Sequence, residues 1–441
     1  MKPYPAYKDS GIEWLGEIPK HWEIKKLKYV AHVETGITPP SDEPKYYENG
    51  KLNWFTPGDF NDTILLIDSN RKINYVAVRN GVAKIYESFS VLLVGIGATL
   101  GKIGIIDKEA SSNQQINAIT FKKGFNPFYG ALYLKSISKI IVSLSNNSTL
   151  AILNQSQTKD ILILIPPLEE QNAIAEYLDR KTAQIDELIK KNKKMVELLK
   201  EKRQAIISNA VTKGLDPKAK MKDSGVEWLG EIPEGWEVKR LRFLLNKNDG
   251  GVWGDDTISD NGDIVLRSTE VNIDGSWSIQ EPAIRKLASS EKKKALLEIG
   301  DILVTKSSGS KEHIGKTAYV DEKIGALNVY FSNFMQRLRM RDKYLGKFFY
   351  YIFNNYIGRD QMNFLSQTTT GLINLNGSVL GEIKITYPPK EDAKEIIYFL
   401  DQKTSKIDES IKIILSQIEK LKEYRQALIS NVVTGKIDVR G

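Results

Sequence analysis

The 441-residue chain contains no cysteine. Disulfides, thiolate zinc sites, iron–sulfur clusters and cysteine nucleophiles are excluded together. Histidine is nearly as scarce: His21, His32 and His313 stand too far apart in sequence for a metal motif. No stretch approaches the ~18 consecutive apolar residues of a membrane span. The opening stretch, MKPYPAYKDSG, lacks the apolar run of a signal peptide, so a cytoplasmic location is expected. Excess charge of one sign is also small, with 63 Lys and Arg against 55 Asp and Glu, a net of +8. That balance permits a polyanionic partner without requiring one, because distribution matters more than the sum.

What is present is an ordinary globular composition, 41% hydrophobic and 27% charged. At roughly 150 residues per domain the length suggests two or three domains. A repeat resolves the number. Lys8–Val30 reads KDSGIEWLGEIPKHWEIKKLKYV and Lys222–Leu244 reads KDSGVEWLGEIPEGWEVKRLRFL, identical at 15 of 23 positions. Pro166–Thr212 and Pro388–Thr434 match at 25 of 47. Between these blocks the two halves diverge almost completely. Drift after a functionally silent duplication would blur the whole repeat. Here the ends agree and the middles do not, which suggests a constant frame carrying two different readers.

The second repeated block reads as a long helix. Pro166-Pro167 and Pro388-Pro389 stop apolar runs over 161–165 and 383–387 that read as strands. Glu169-Glu170 and Glu391-Asp392 suit a helix N-terminus, and Gly214 is a natural C-terminal cap. Apolar residues recur at near-heptad spacing: Leu178, Ile185, Leu188, Leu199 and Ile206 in one copy, Leu400, Ile407, Ile414, Leu421 and Leu428 in the other. Asn192 falls on the seam where the second copy has Ile414. A helix of about 45 residues would extend roughly 65–70 Å and cannot hide such a stripe alone. Antiparallel packing of the two copies is expected. The alternative has each helix packed only on its own domain.

The divergent bodies read as mixed α and β. Strands are expected at Ser90–Val94, Ile103–Ile106 and Ile116–Phe121 with a helix over Phe128–Leu144. In the second body the corresponding strands are Asp301–Val304, Thr317–Val320 and Phe334–Met340, with a helix over Leu345–Tyr356. Gly95-x-Gly97-xxx-Gly101-Lys102 and Gly309-xxxxx-Gly315-Lys316 tempt a phosphate-loop reading. The glycine spacing is wrong, and neither Ile103 nor Leu100 is what the P-loop or dinucleotide pattern needs. The two Gly-Lys pairs, equivalent in the duplication, read as a repeated hairpin or loop device. Catalytic constellations are missing. The Pro-Pro pairs follow Thr38, Ile165 and Tyr387 rather than the acidic or amide residue of an amino-methyltransferase, and no Walker set, HExxH or GxSxG occurs.

The bodies offer instead polar and basic loop residues. Asn113-Gln114-Gln115 precedes a strand, and such amides can pair bidentately with adenine edges. Arg71, Arg79 and Lys102 in the first body, and Arg267, Lys306, Ser307, Ser308 and Lys311 in the second, can bind phosphate or guanine. Each taken singly is an ordinary surface side chain. Together they fit recognition of two separated half-sites on double-stranded DNA.

The doubled KDSGIEWLGEIPKHW and PPLEEQNAIAEYLDRKTAQIDEL arrangement, with its RQAIISN and RQALISN endings, resembles the specificity subunits of type I restriction–modification systems along the full chain. Looser family-like pieces are Thr35-Gly36-Ile37-Thr38-Pro39, Asn113-Gln114-Gln115 and Thr370-Gly371-Leu372. Lys390-Glu391-Asp392-Ala393 departs from the more usual Leu168-Glu169-Glu170-Gln171. The resemblance implies an α+β architecture of two tandem pseudo-symmetric target recognition domains, 1–165 and 215–387. Two long helices, 166–214 and 388–441, would separate them as an antiparallel coiled coil. It implies a non-catalytic subunit reading a bipartite asymmetric DNA site. It also implies two modification subunits that methylate adenine N6 from S-adenosylmethionine, and two motor-nuclease subunits using ATP and Mg. No cofactor or metal is expected in this chain itself. The rivals are a specificity subunit of a related combined system, a duplicated enzyme, and a coiled-coil adaptor indifferent to DNA sequence.

Overall fold

The computed structural model describes residues 2–61, 63–145, 151–257, 262–307, 313–366 and 375–440. Ser308, Lys311 and the Thr370-Gly371-Leu372 piece lie outside them. The chain forms two compact units, Met1–Lys193 with Ser416–Gly441, and Lys194–Leu415.

The first unit holds two sheets built from β1 (Ala31–Thr35), β2 (Leu52–Phe55), β3 (Lys72–Ile73), β4 (Val91–Val94), β5 (Ile103–Ile106), β6 (Ala110–Ser112) and β7 (Ile116–Phe121). One sheet runs β1-β7-β4-β5 and ends on the short strand Leu65–Leu66; the other runs β6-β2-β3. In the second unit the strands are β8 (Leu245–Gly250), β9 (Asp263–Leu266), β10 (Ala283–Lys286), β11 (Ile302–Thr305), β12 (Thr317–Tyr319), β13 (Tyr330–Phe331) and β14 (Met335–Met340). Their order is β8-β14-β11-β12 in one sheet and β10-β9-β13 in the other, with Asp255–Asp256 added outside β10. Each strand of the second unit thus stands where its counterpart seven places earlier stands in the first. In both, β2–β6 and β9–β13 are parallel pairs within otherwise mostly antiparallel ladders. The bodies that share almost no sequence share one topology.

The leading motif folds alike in each copy. Tyr7–Asp9 pairs with Glu17–Pro19 and Met221–Asp223 with Glu231–Pro233, both antiparallel, with Lys8 facing Ile18 and Lys222 facing Ile232. Glu23–Lys26 and Glu237–Arg240 then pair with Leu162–Ile165 and Lys384–Tyr387, the apolar runs before each Pro-Pro. Trp22 and Trp236 are fully buried in the respective cores.

The expected strands Ile103–Ile106 and Ile116–Phe121 have those limits, and the other four are shifted or trimmed by a residue or so. The single helix expected over 128–144 is two, Pro127–Ser136 and Ser138–Ser143, broken at Ile137. That expected over 345–356 ends at Phe353, and Tyr356–Ser366 begins another.

The long helices are α1 (Leu168–Lys213) and α2 (Lys390–Val433). Gly214 and Gly435 follow with φ of +73° and +74°, the left-handed conformation of a helix C-cap. Each unit takes the first stretch of one helix and the last stretch of the other, running antiparallel. In the first unit Ile174, Leu178 and Ile185 share a core with Leu428, Ile429, Val432 and Val433. In the second, Ile207, Ala210 and Val211 share one with Ala393, Ile396 and Leu400. The Tyr129 hydroxyl donates to the Val433 carbonyl at 3.4 Å, and the Thr386 hydroxyl to the equivalent Val211 carbonyl at 2.7 Å. Ion pairs are reciprocal: Arg425 meets Asp186 at 3.1 Å in the first unit, and Arg203 meets Asp408 at 2.9 Å in the second.

Leu178, Ile185, Leu400, Ile407 and Leu428 are buried, and Leu199, Ile206, Ile414, Leu421 and Asn192 are half-buried. Leu188 is a correction. It is 49% exposed, and Ile189 packs on the core instead. Beyond Ile185 the inward positions step by four, three and four residues, to Ile189, Asn192 and Val196, so Leu188 falls one position to the side of the seam.

Candidate nucleic-acid interface

A parallel pair of strands brings its two C-terminal ends to the same edge. In the first unit that edge is closed by three backbone bonds. The Asn113 amide donates to the Phe55 carbonyl at 3.0 Å, Gly36 to Ile116 at 3.0 Å, and Ile37 to Ser112 at 3.0 Å. The second unit repeats them: Ser332 to Leu266 at 2.9 Å, Gly251 to Met335 at 3.4 Å, and Val252 to Phe331 at 3.0 Å. A Cβ on Gly36 would collide with the Asn113 carbonyl, and one on Gly251 with the Phe331 carbonyl. Glycine is required at both places because two loops lie in backbone contact. The Thr35–Pro39 and Asn113–Gln115 pieces, distant in sequence, are therefore neighbours.

The turn after the central strand is matched too. The Asp59 carboxylate caps the Thr56 amide at 2.7 Å, and the Glu270 carboxylate caps that of Arg267 at 2.5 Å. Lys102 donates to the Phe60 carbonyl at 3.1 Å, while Lys316 donates to the Ser268 and Val271 carbonyls at 2.6 Å each. Gly101 and Gly315 turn the β4–β5 and β11–β12 hairpins at φ of +85° and +74°. The Gly-Lys pairs are thus a hairpin turn and a strut that ties down the neighbouring loop. Burial, and then the Arg359 charge, holds the Lys316 ammonium below the usual lysine range.

The candidate residues sort onto this edge unevenly. Asn113 is buried and spends its amide on Gln115, donating to the Gln115 side-chain oxygen at 3.0 Å and accepting from its backbone amide at 3.1 Å. Gln114 is exposed and accepts from the Thr38 hydroxyl. Arg71 lies beside Trp54, with its guanidinium 4.9 Å from the Tyr47 ring and 5.3 Å from the Trp54 ring. Tyr47 in turn donates to the Pro39 carbonyl at 2.6 Å, joining Arg71 to the same edge. Arg79 ends the helix Tyr75–Arg79, whose Tyr75 bonds Glu109 at the start of β6, so it stands at the opposite end of the pair.

In the second unit Arg267 is engaged by Glu270, with guanidinium contacts of 2.6 and 3.1 Å, and by the Glu281 carbonyl at 2.8 Å. Lys306 and Ser307 are half-buried just after β11. Burial and the nearby Lys294 charge keep the Lys306 ammonium below its ordinary range. Thr38, Tyr47, Trp253, Asn333 and the 55% exposed Phe334 were not among the expected residues. Thr38 and Trp253 stand two residues after the edge glycines Gly36 and Gly251, and Phe334 follows Asn333, whereas Tyr47 carries no such signal in the sequence. Among the described residues no three His, Asp or Glu side chains gather as metal ligands, and no helix is long and apolar enough to cross a membrane.

The family described as "Type I restriction modification DNA specificity domain" matches residues 19–198 and 233–420. The MjaIX specificity subunit of Methanocaldococcus jannaschii is 31% identical over 54% of this chain and 54% of its own length. The EcoKI specificity subunit of Escherichia coli K12 is 23% identical over 96% of this chain and 90% of its own. A chain solved in a study of complex assembly and conformational transition of the type I system superposes with a TM-score of 0.71. That match has 14% identity over 95% of this chain and 99% of the other. The HsdS subunit of Thermoanaerobacter tengcongensis gives 0.51, with 16% identity over 95% and 98%. The chain belongs to the type I restriction–modification specificity family, whose members are DNA-recognition subunits without chemistry of their own.

Proposed function

We propose that residues 1–165 and 215–387 are two target recognition domains, each reading one half of a bipartite, asymmetric site on double-stranded DNA. One observation carries this reading. The same backbone frame closes the edge of both bodies, yet the exposed groups on it differ: Thr38, Gln114 and Arg71 in one, Asn333 and Phe334, beside the half-buried Lys306, in the other. An exposed amide such as Gln114 reads an adenine edge, and cations such as Arg71, Lys306 and Arg267 hold phosphates or guanine. Asn113, Gln115 and Lys102 act beneath, fixing the loops, and the half-buried Ser307 follows Lys306 on the second body.

Residues 166–214 and 388–441 set the separation of the half-sites. Two modification subunits, using S-adenosylmethionine, methylate adenine N6 within the site. Two motor-nuclease subunits, using ATP and Mg, cleave unmethylated DNA in the cytoplasm. The test co-expresses the chain with its methyltransferase and maps N6-methyladenine across the host genome. A bipartite methylated motif is expected. Exchanging residues 31–165 for another such body should change one half of it and leave the other. Change in both halves, or in neither, contradicts the reading.

A further inference from the structure

A hollow of about 1120 Å³ opens inside the second unit, between its body and the two long helices. The turn after β9 forms one wall, and Lys200 and Arg203 of α1 line it together with Asp408 and Lys412 of α2. Five cationic side chains surround the space, Lys200, Arg203, Lys316, Arg359 and Lys412, against two carboxylates, Asp274 and Asp408. Both carboxylates are engaged. Asp408 accepts from Arg203 at 2.9 Å, and Asp274 accepts from the Ser276 amide at 2.9 Å and from its hydroxyl at 2.7 Å. Among the described residues, Arg203 alone of the five cations has a carboxylate partner.

Two of the unpaired cations are tied to the backbone. Lys316 is 5% exposed and donates to the Ser268 and Val271 carbonyls at 2.6 Å each. The half-buried Arg359 donates to the Ile273 and Ile314 carbonyls at 3.1 and 3.0 Å. Carbonyl oxygens orient a cation but leave its charge uncompensated. Burial holds the Arg359 guanidinium below its ordinary range, as it does the Lys316 ammonium. Two like charges drawn together out of water are costly until an anion completes the site. The first unit lacks this pair. A Cβ on Gly101 would meet Ser138 and Val142, whereas one on Gly315 would meet Arg359 and Met362, and Lys102 is exposed where Lys316 is buried. A phosphate suits the hollow, because its oxygens can accept from a guanidinium and several ammonium groups at once. The turn that forms the wall is the one that Arg267 opens on the candidate edge.

We propose that this hollow is a phosphate seat, and that it takes a backbone phosphate of the DNA beside the half-site read by the second body. This rests on the reading that the second body binds DNA, and adds to it a contact that carries no sequence information and belongs to one half only. Duplex binding by the chain co-expressed with its methyltransferase, followed against salt concentration, tests it. Lys200→Gln with Lys412→Gln should weaken binding roughly 3–10-fold and make the salt dependence shallower by about one to two phosphate contacts. Arg359→Gln should act in the same direction, and Arg359→Lys should not. Lys190→Gln with Lys422→Gln, the same helix positions in the first copy, should change neither quantity. Wild-type affinity and slope in the Lys200 and Lys412 variant, or equal losses from both pairs, overturn the seat. Inorganic pyrophosphate supplies a second arm. If the wild type binds it without DNA and the Lys200 and Lys412 variant does not, while their DNA slopes agree, the ligand is a free anion and the assignment to the duplex is overturned. A wild-type complex that shows no preference among DNA sequences overturns the broader reading instead.

Discussion

At one rung beside β4 and β7 the first unit sets the Ser90 hydroxyl 2.8 Å from that of Thr120. The same rung beside β11 and β14 holds an ion pair, Arg339 donating to Asp301 at 2.6 and 2.8 Å, with both residues buried. Two positions along, Ala118 in the first unit gives way to Arg337 in the second. Its buried guanidinium grips Asp249 at 2.9 and 2.7 Å and lies 5.2 Å from the Phe331 ring. The ladders on either side are the same. A fully paired charge can thus replace two hydroxyls or a methyl within one topology. What the fold holds constant is backbone pairing and the apolar neighbours, not the polar content of the core.

That contrast can be broken most sharply by transplanting the rung. Asp301→Ser alone leaves the Arg339 guanidinium only Glu298, and Arg339→Thr leaves Asp301 the Glu298 amide at 2.9 Å and Arg337 at 3.9 Å, so each should cost about 2–3 kcal/mol. The two together recreate the rung of the first unit and should cost clearly less than either single change. Urea unfolding of the full chain, analysed as a double-mutant cycle, measures the coupling. Additive losses would show that the pair is not the source.

A second contrast lies where each long helix begins. The buried Glu170 carboxylate accepts from the Trp22 indole at 2.9 Å, from His21 at 2.6 Å and from Arg440 at 2.6 Å. Its counterpart Asp392 is exposed and accepts from the Trp236 indole at 2.9 Å. Gly235 stands where the first copy has His21. Glu170→Ala should therefore destabilise by about 2–3 kcal/mol, and Asp392→Ala by about 1 kcal/mol. The two thermal midpoints, followed by tryptophan fluorescence, give the order; equal losses would erase the contrast.

The smallest effect should come from the reciprocal ion pairs. Arg203→Ala and Arg425→Ala each remove one partly exposed pair, and each should cost about 0.5–1 kcal/mol, less in high salt. Matched losses support equivalent packing in the two units. A marked difference would show that one pair carries load the other does not.

Much of this organisation is visible in the sequence because it rests on strong local signals. The duplication is read from identities, and the strands Ile103–Ile106 and Ile116–Phe121 from short runs of branched apolar residues. The break at Ile137 leaves no mark, since neither Gly nor Pro stands there to announce it. The likeness of the two bodies is equally silent. Ser90 is neutral and Asp301 charged, and the bonds that equate them run between backbone groups, which every sequence supplies. Leu188 misled because apolar spacing alone does not separate the seam from a residue one step beside it. At the candidate interface the amides of Asn113 and Gln115 were sound as polar loop residues, but they turn toward each other. Only the fold shows that Gln114, between them, is the one left facing outward.

The mixed composition of the first unit also fixes an order of events during synthesis. Its core takes Leu428, Ile429, Val432 and Val433 from the last turns of α2, whereas the second unit needs nothing beyond Leu415. A ribosome moving along the message releases every residue of the second unit before it has made the segment that closes the first. The earlier-made body must therefore wait with an apolar face uncovered while the later-made one completes itself. In the cell that interval is where a chaperone would find this chain.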